Sequence, residues 1–230
     1  MKLSKRLQQI DQMITTKYDH IWDCCCDHGF LGMRLLDRDA ASTIHFVDVV
    51  APLIADLESC LLQHHPEQNK SPTLNSRWQV HCLSAEKIPI QSKGSNLVII
   101  AGVGGELLIE IVEAILTTHP NQTLDFLLCP VHHNYKVRQS LIQLGLGLVD
   151  ERLVNENKRF YEVIYTSTDS KLPISPVGSV MWNFTRPDDL EYLNQTLAHY
   201  QRIQRTEDTT LLKYTQKVIS AYRSLHTLVE

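Results

Sequence analysis

An excess of basic charge is missing from this chain. Its 22 lysines and arginines face 26 aspartates and glutamates, a net charge of -4, which excludes a protein that coats nucleic acid through a broad basic surface. Residues 1–165 hold 15 basic and 19 acidic side chains, and residues 166–230 hold 7 of each. Any contact with nucleic acid must then come from local clusters: Lys2, Lys5 and Arg6; Arg202 and Arg205; Lys213 and Lys217. No run approaches the roughly 18 uncharged apolar residues of a membrane span, and Gln8, Gln9, Asp11 and Gln12 stand where a signal peptide needs its apolar core. A soluble, cytoplasmic protein with no membrane partner is expected. Glycine and proline are scarce, nine of each in 230 residues, and no tract is monotonous, which removes collagen-like and low-complexity readings. Cys-x-x-Cys pairs are absent too. Cys24, Cys25 and Cys26 are consecutive while Cys60, Cys82 and Cys129 are scattered, so reduced thiols are expected in place of a disulfide framework or zinc site. The pairs His64-His65 and His132-His133 lack an acid or thiol at zinc spacing, and adjacent side chains diverge; no metal is expected.

What the chain does have is 43% hydrophobic residues over a length that buries a real core. Short apolar runs at His20–Cys24, Thr43–Val47, Trp78–Cys82, Leu97–Ala101 and Leu124–Cys129 alternate with helical stretches at about Leu31–Leu36, Pro52–Leu62, Glu106–Thr117 and Tyr135–Leu144. Near-continuous apolar strands separated by helices predict an α/β fold with a mostly parallel sheet covered on both faces. Val149–Asn155 and Arg159–Thr166, joined by Glu156-Asn157-Lys158, predict an antiparallel pair at the end of the sheet. A Pro/Ser/Gly-rich connector at 167–185 divides residues 1–166 from 186–230. There the period changes: Leu190, Leu193, Leu197 and Tyr200, then Leu211, Thr215, Val218, Tyr222 and Leu225, predict a hairpin of two amphipathic helices. Thr185 and Thr206 are the expected helix starts.

In a parallel sheet of this kind a ligand sits beyond the carboxyl ends of the strands. Asp23-Cys24-Cys25-Cys26-Asp27-His28-Gly29 follows the first strand, and Asp48 follows the second, 25 residues after Asp23. A carboxylate there either takes the ribose hydroxyls of a nucleoside-containing cofactor or caps the next helix. Gly102-Val103-Gly104-Gly105 follows the fourth strand, and three glycines in four positions favour close approach of a ligand to the backbone. A nicotinamide-dependent oxidoreductase is disfavoured because Gly-x-Gly-x-x-Gly is absent after the first strand.

Leu-Ser-Lys-Arg-Leu at 3–7, Asp-x-x-x-Asp-His-x-x-Leu from Asp23 to Leu31, Ile-Ala-Gly-Val-Gly-Gly from Ile100 to Gly105, and Val149–Ile164 with its Asn-Lys-Arg-Phe-Tyr-Glu-Val together resemble the bacterial tRNA adenine-22 N1-methyltransferases. The resemblance spans nearly the whole chain and implies a Rossmann-like methyltransferase sheet, a C-terminal helical hairpin, S-adenosylmethionine as cofactor and tRNA as partner; the oligomeric state is left open, with a monomer favoured. It implies Asp27 and His28 as catalytic residues. Cofactor contacts are implied at Asp23, Cys25, Asp27, His28, Gly29, Asp48, Val49, Ser84, Ala85, Ala101 and Gly102, and substrate contacts at Gly104, Gly105, Pro130, His132 and Arg138; the charge clusters add Arg202 and Arg205 as expected phosphate contacts. Phe30, Tyr135 and Phe160 are candidate stacking aromatics. The chain departs from the family pattern at Cys25, where the family has glycine; at Leu83-Ser84-Ala85, in place of Gly-Asp-Gly; and at Cys129-Pro130-Val131, in place of Gln-Pro-Asn. A relative that binds the cofactor or RNA without catalysis is the competing reading, as is a methyltransferase with another substrate.

Overall fold

A computed structural model describes residues 3–66, 76–204 and 207–225. Seven strands form its sheet: β1 (Tyr18–Cys24), β2 (Ala41–Asp48), β3 (Trp78–Cys82), β4 (Asn96–Ala101), β5 (Leu124–Cys129), β6 (Gly147–Glu156) and β7 (Arg159–Ser167). Their order is β3-β2-β1-β4-β5-β7-β6. The first five strands pair in parallel, and β7 runs antiparallel to both β5 and β6. The chain leaves β1 towards β2 on one side and returns at β4 on the other, so a crevice opens at the carboxyl ends of β1 and β4.

The apolar runs become strands because both of their faces are buried. Ile21, Ile44, Phe46, Leu97 and Ile99 pack on one face with α1 (Lys5–Met13) and α2 (Phe30–Asp37). Trp22, Val47, Val98, Ile100, Phe126 and Leu128 pack on the other with α4 (Gly105–Thr118) and α5 (Asn134–Gln143). α3 (Ala51–His64) connects β2 towards β3, burying Leu57 and Leu61. The hairpin turn is tight, with Asn157 and Lys158 at φ 52° and 62° between the paired Glu156 and Arg159. Two successive left-handed residues match the right-handed twist of the flanking strands.

Residues 168–186 pack against the body of the protein: Leu172 bridges to Leu148, Ile174 enters the core beneath α4, and Val177 joins Tyr135 and the hairpin. α6 (Pro187–Ile203) and α7 (Thr209–Arg223) bury Leu193, Leu197, Val218 and Tyr222 in that cluster. The expected helix starts shift. Thr185 turns its hydroxyl to Asn183 Oδ1 at 2.7 Å, and Pro187 opens α6 where its missing N–H costs nothing. Asp208 caps α7, accepting from the Thr210 and Leu211 N–H groups at 2.8 and 3.1 Å; Thr206 and Arg205 lie outside the described residues, as does Lys2. Among the described residues no helix is long and apolar enough to cross a membrane.

Three histidines on adjacent strands form a chain that periodicity does not announce. His20 Nδ1 lies 3.1 Å from His45 Nε2, His45 Nδ1 lies 3.0 Å from His81 Nε2, and His45 stacks on Trp22 at 3.7 Å. Each link needs one N–H and one bare nitrogen, which three neutral imidazoles can supply. Burial, then the neighbouring His81 and His20, push His45 down to about 3. A histidine whose folded pKa lies below its unfolded value takes up protons more readily when unfolded, so stability is whole above about pH 6.5 and falls as pH drops below it. His45 alone is expected to remove about 2 kcal/mol between pH 7 and pH 5. Urea titrations at the two pH values check this, and His45→Gln should shrink the difference; an unchanged pH dependence in the variant would show that the histidine chain is not its source.

Candidate functional site

The crevice beyond β1 and β4 is a cleft of about 180 Å³ lined by Arg6, Leu7, Asp23, Cys24, Cys25, Cys26, Asp27, His28, Phe30, Leu31, Ala101 and Gly102. Asp23, Cys25, Asp27 and His28 at the end of β1 and in the first loop, and Ala101 and Gly102 at the end of β4, two segments remote in sequence, thus line one cavity. Asp48 joins them at its rim. One of its oxygens accepts from the Asp27 N–H at 3.1 Å and the other from the Val50 N–H at 3.0 Å, at the start of α3. It therefore shapes both the first loop and the turn that leads into α3, without capping the helix. Val49 is exposed beside it, and the Leu83 N–H donates to the Asp48 carbonyl at 3.0 Å, which brings Ser84 and the buried Ala85 to the same edge.

Asp23 is buried, with Oδ2 accepting from the Gly32 N–H at 2.9 Å. Burial raises its pKa, the Gly32 hydrogen bond opposes the rise and Asp48 adds to it, for a value of about 7. Asp27 and His28 are exposed at the mouth, 3.6 Å apart, and His28 stacks on Phe30 at 5.5 Å. Burial, with Asp48 and Asp23 nearby, pushes Cys25 up to about 11, and burial raises Cys24 and Cys26 as well, which disfavours the nucleophilic thiolate in the cleft.

Cys25 stands at φ 57° and Asp27 at φ 51°, a left-handed conformation that disfavours side chains. The glycine that relatives are expected to carry at position 25 fits that backbone without strain. Cys25→Gly is accordingly expected to stabilise the protein by about 0.5–1 kcal/mol, measured by chemical denaturation; a loss of stability would mean that the thiol's packing outweighs the strain. Gly29 is called for by its left-handed backbone at φ 67°, and a Cβ there would also lie 2.6 Å from Leu57 Cδ1. Gly102, at φ 85°, leaves the cleft floor open, with a Cβ meeting nothing closer than Arg6 Nη2 at 3.5 Å. Gly104 and Gly105 instead admit the loop after β5: a Cβ on them would lie 2.9 Å from His132 Cε1 and 2.7 Å from the His132 carbonyl oxygen.

Two expected substrate residues are corrected. Arg138 is fully buried, its Nε on Glu162 and its Nη1 on Glu151, both at 2.6 Å, and cannot face a substrate. Pro130 is buried under the loop, leaving exposed Val131 and His132 to face outwards. Arg202 is exposed on the last turn of α6, away from the residues that line the cleft. Tyr135 is core, Phe160 half-buried and Phe30 exposed in the cleft.

Arg6 was expected among phosphate-gripping residues, yet it points into the cleft. Its guanidinium sits over Tyr161 at 5.0 Å, and its buried Nε makes no hydrogen bond to the described protein. Buried donors are nearly always paired, so this one suits an anionic group in the cavity. The motif at 3–7 was the signal, but only the fold brings α1 beside Gly102.

A methyltransferase domain family model matches residues 3–164. The fold is similar to that of the B. subtilis adenine-22 tRNA methyltransferase TrmK, with a TM-score of 0.76 at 21% identity, covering 97% of this chain and 98% of that one. It is similar to M. capricolum TrmK, solved with the cofactor product S-adenosyl-homocysteine, with a TM-score of 0.77 at 16% identity and full coverage of both chains. The sheet also resembles the magnesium protoporphyrin IX methyltransferase of Synechocystis with bound SAM, at a TM-score of 0.53, 9% identity and coverage of 70% and 79%. No curated protein sequence matches the chain.

Proposed function

The chain belongs to the methyltransferase domain family, and from that premise we propose that it transfers a methyl group from S-adenosylmethionine to N1 of an adenine in tRNA, at position 22. The observation that carries the reading beyond the shared domain is coverage: the likeness to TrmK continues past residue 164 through the helical hairpin.

The cleft fits this cofactor on its own chemistry. Asp23 offers a carboxylate for the methionine ammonium, which would draw its pKa back down. Arg6 offers an unpaired donor for the methionine carboxylate, Asp48 an acceptor for ribose hydroxyls, and Ser84 with the Ala85 backbone a place for the adenine edge. When bound, the cofactor supplies an electrophilic sulfonium methyl. Methylation at N1 would leave a positive charge on the purine, which this chain's own residues must accommodate. An internal adenine must leave its stack to reach the site; Phe30 lies at the mouth to receive it. Asp27 then stabilises the charge arriving on the ring, with His28 beside it. Arg202, Lys213 and Lys217 are exposed on the hairpin and would hold phosphates.

Incubation with labelled S-adenosylmethionine and unmodified tRNA, followed by mass spectrometric mapping, tests the reading. Label on adenine N1 is expected, and Asp27→Ala should lower kcat by about 100-fold while cofactor affinity stays within a few-fold. A variant that turns over at the wild-type rate removes Asp27 from catalysis. Cofactor binding without labelled tRNA would favour the non-catalytic relative, to which Cys25 in the strained loop gives some ground.

A further inference from the structure

We propose that Glu106, His132 and His133 form a binding site for a transition-metal dication of the zinc type, outside the cofactor cleft. The expectation of no metal rested on two sequence arguments, that adjacent histidines diverge and that no acid partner stands near them. The fold reverses both. His133 is at φ 64°, a left-handed position just ahead of α5, and this bend brings the two imidazoles together, with ring centroids 4.2 Å apart and planes inclined at 60°. Glu106, 26 residues before His132 and in the first turn of α4, supplies the acid. Its Oε2 lies 2.5 Å from His133 Nδ1 and 4.0 Å from His132 Nδ1.

One ligand atom from each of the three side chains lies within 4.8 Å of the other two. A tetrahedral zinc with bonds of about 2.0–2.1 Å needs donors about 3.3 Å apart, so small side-chain rotations close the site. Gly104 and Gly105 are part of its construction, because a Cβ on either would collide with His132. The carboxylate is already positioned by its hydrogen bond with His133 Nδ1 at 2.5 Å. Lys136 Nζ occupies the other oxygen at 3.2 Å, which fixes the carboxylate, so an ion would take the place of the proton shared by Oε2 and His133 Nδ1. The imidazoles supply neutral nitrogens, a donor set of two histidines and one carboxylate that matches zinc, cobalt and nickel. Three protein ligands leave one position for water or an anionic oxygen. The Lys136 charge and the N-terminal ends of α4 and α5 oppose a cation, so micromolar rather than nanomolar affinity is expected.

The test uses the full-length protein stripped with a chelator, then equilibrium dialysis with Zn²⁺ and visible absorption with Co²⁺. One zinc per chain is expected, with cobalt d–d bands and no thiolate charge-transfer band, which separates this site from Cys24, Cys25 and Cys26. Glu106→Gln and the double variant His132→Ala with His133→Ala should each weaken binding at least about 10-fold, with thermal unfolding as the control for folding. If the double variant melts early, the isosteric Glu106→Gln decides alone. Unchanged zinc affinity in Glu106→Gln, thiolate bands with cobalt, or no saturable binding below millimolar metal would each overturn the proposal.

Discussion

Arg138→Met is expected to destabilise the fold by at least about 4 kcal/mol, a large share of the roughly 5–15 kcal/mol that holds a typical domain together. Arg138, Glu151 and Glu162 are each fully buried. The guanidinium bridges the two carboxylates at 2.6 Å on each side and reaches the Ser175 carbonyl at 3.2 Å. Glu151 Oε1 accepts in turn from the Ser179 hydroxyl at 3.0 Å and the Met181 N–H at 3.3 Å, and Glu162 Oε1 from the Tyr192 hydroxyl at 2.6 Å. One arginine thereby ties α5 to β6, β7, the 168–186 segment and α6. Methionine fills much of the volume, so the loss is electrostatic: two buried carboxylates keep their desolvation cost without their partner. Burial alone would raise the Glu151 pKa, and Arg138 with Ser179 holds it below the ordinary value. Chemical denaturation measures the effect, and adding Glu151→Gln and Glu162→Gln should recover part of it. A single variant within about 1 kcal/mol of wild type would show that water or rearrangement satisfies the carboxylates.

Asp23→Asn is expected to separate stability from cofactor binding. A carboxyl whose folded pKa is raised binds its proton more tightly when folded, so its contribution is most favourable at low pH and is lost as pH rises from the ordinary 3.8 through about 7. Above that range the buried charge costs on the order of 4 kcal/mol. Asparagine keeps an oxygen for the Gly32 N–H and carries no charge, but its amide nitrogen needs a partner of its own. A net gain of about 1–3 kcal/mol at pH 8 follows, vanishing towards pH 4. Affinity for S-adenosylmethionine should fall about 10-fold or more, because a charged hydrogen bond to the ammonium is lost. Denaturation at the two pH values and calorimetry with the cofactor read both effects. Unchanged cofactor affinity would remove Asp23 from the ammonium site; a flat pH dependence of the difference between variant and wild type would show that Asp23 is ionised at no cost in the folded protein.

The strands were readable because burial on both faces demands unbroken apolar runs, so Leu124–Cys129 and Trp78–Cys82 coincide with β5 and β3 to the residue. The cleft was largely readable as well. Its residues follow β1, β2 and β4, and a parallel sheet aligns those strand ends at one edge whatever the side chains are. Arg6 was misplaced and Glu106 overlooked for a different reason: their neighbours are set by how α1 and α4 dock, with Arg6 on Tyr161 and Glu106 on His133.

By itself, the sequence determined the alternating architecture, the antiparallel end of the sheet, the helical hairpin and the edge at which the cleft opens, since each follows from local period, turn residues or strand ends. Tertiary structure alone decided which charges meet. Arg138 was expected to contact substrate and is a buried fastener, while His132 and His133 read as diverging side chains and converge on Glu106. An ionisable residue's role is set by its distance to other charges and to water, and those distances depend on the docking of segments remote in the chain.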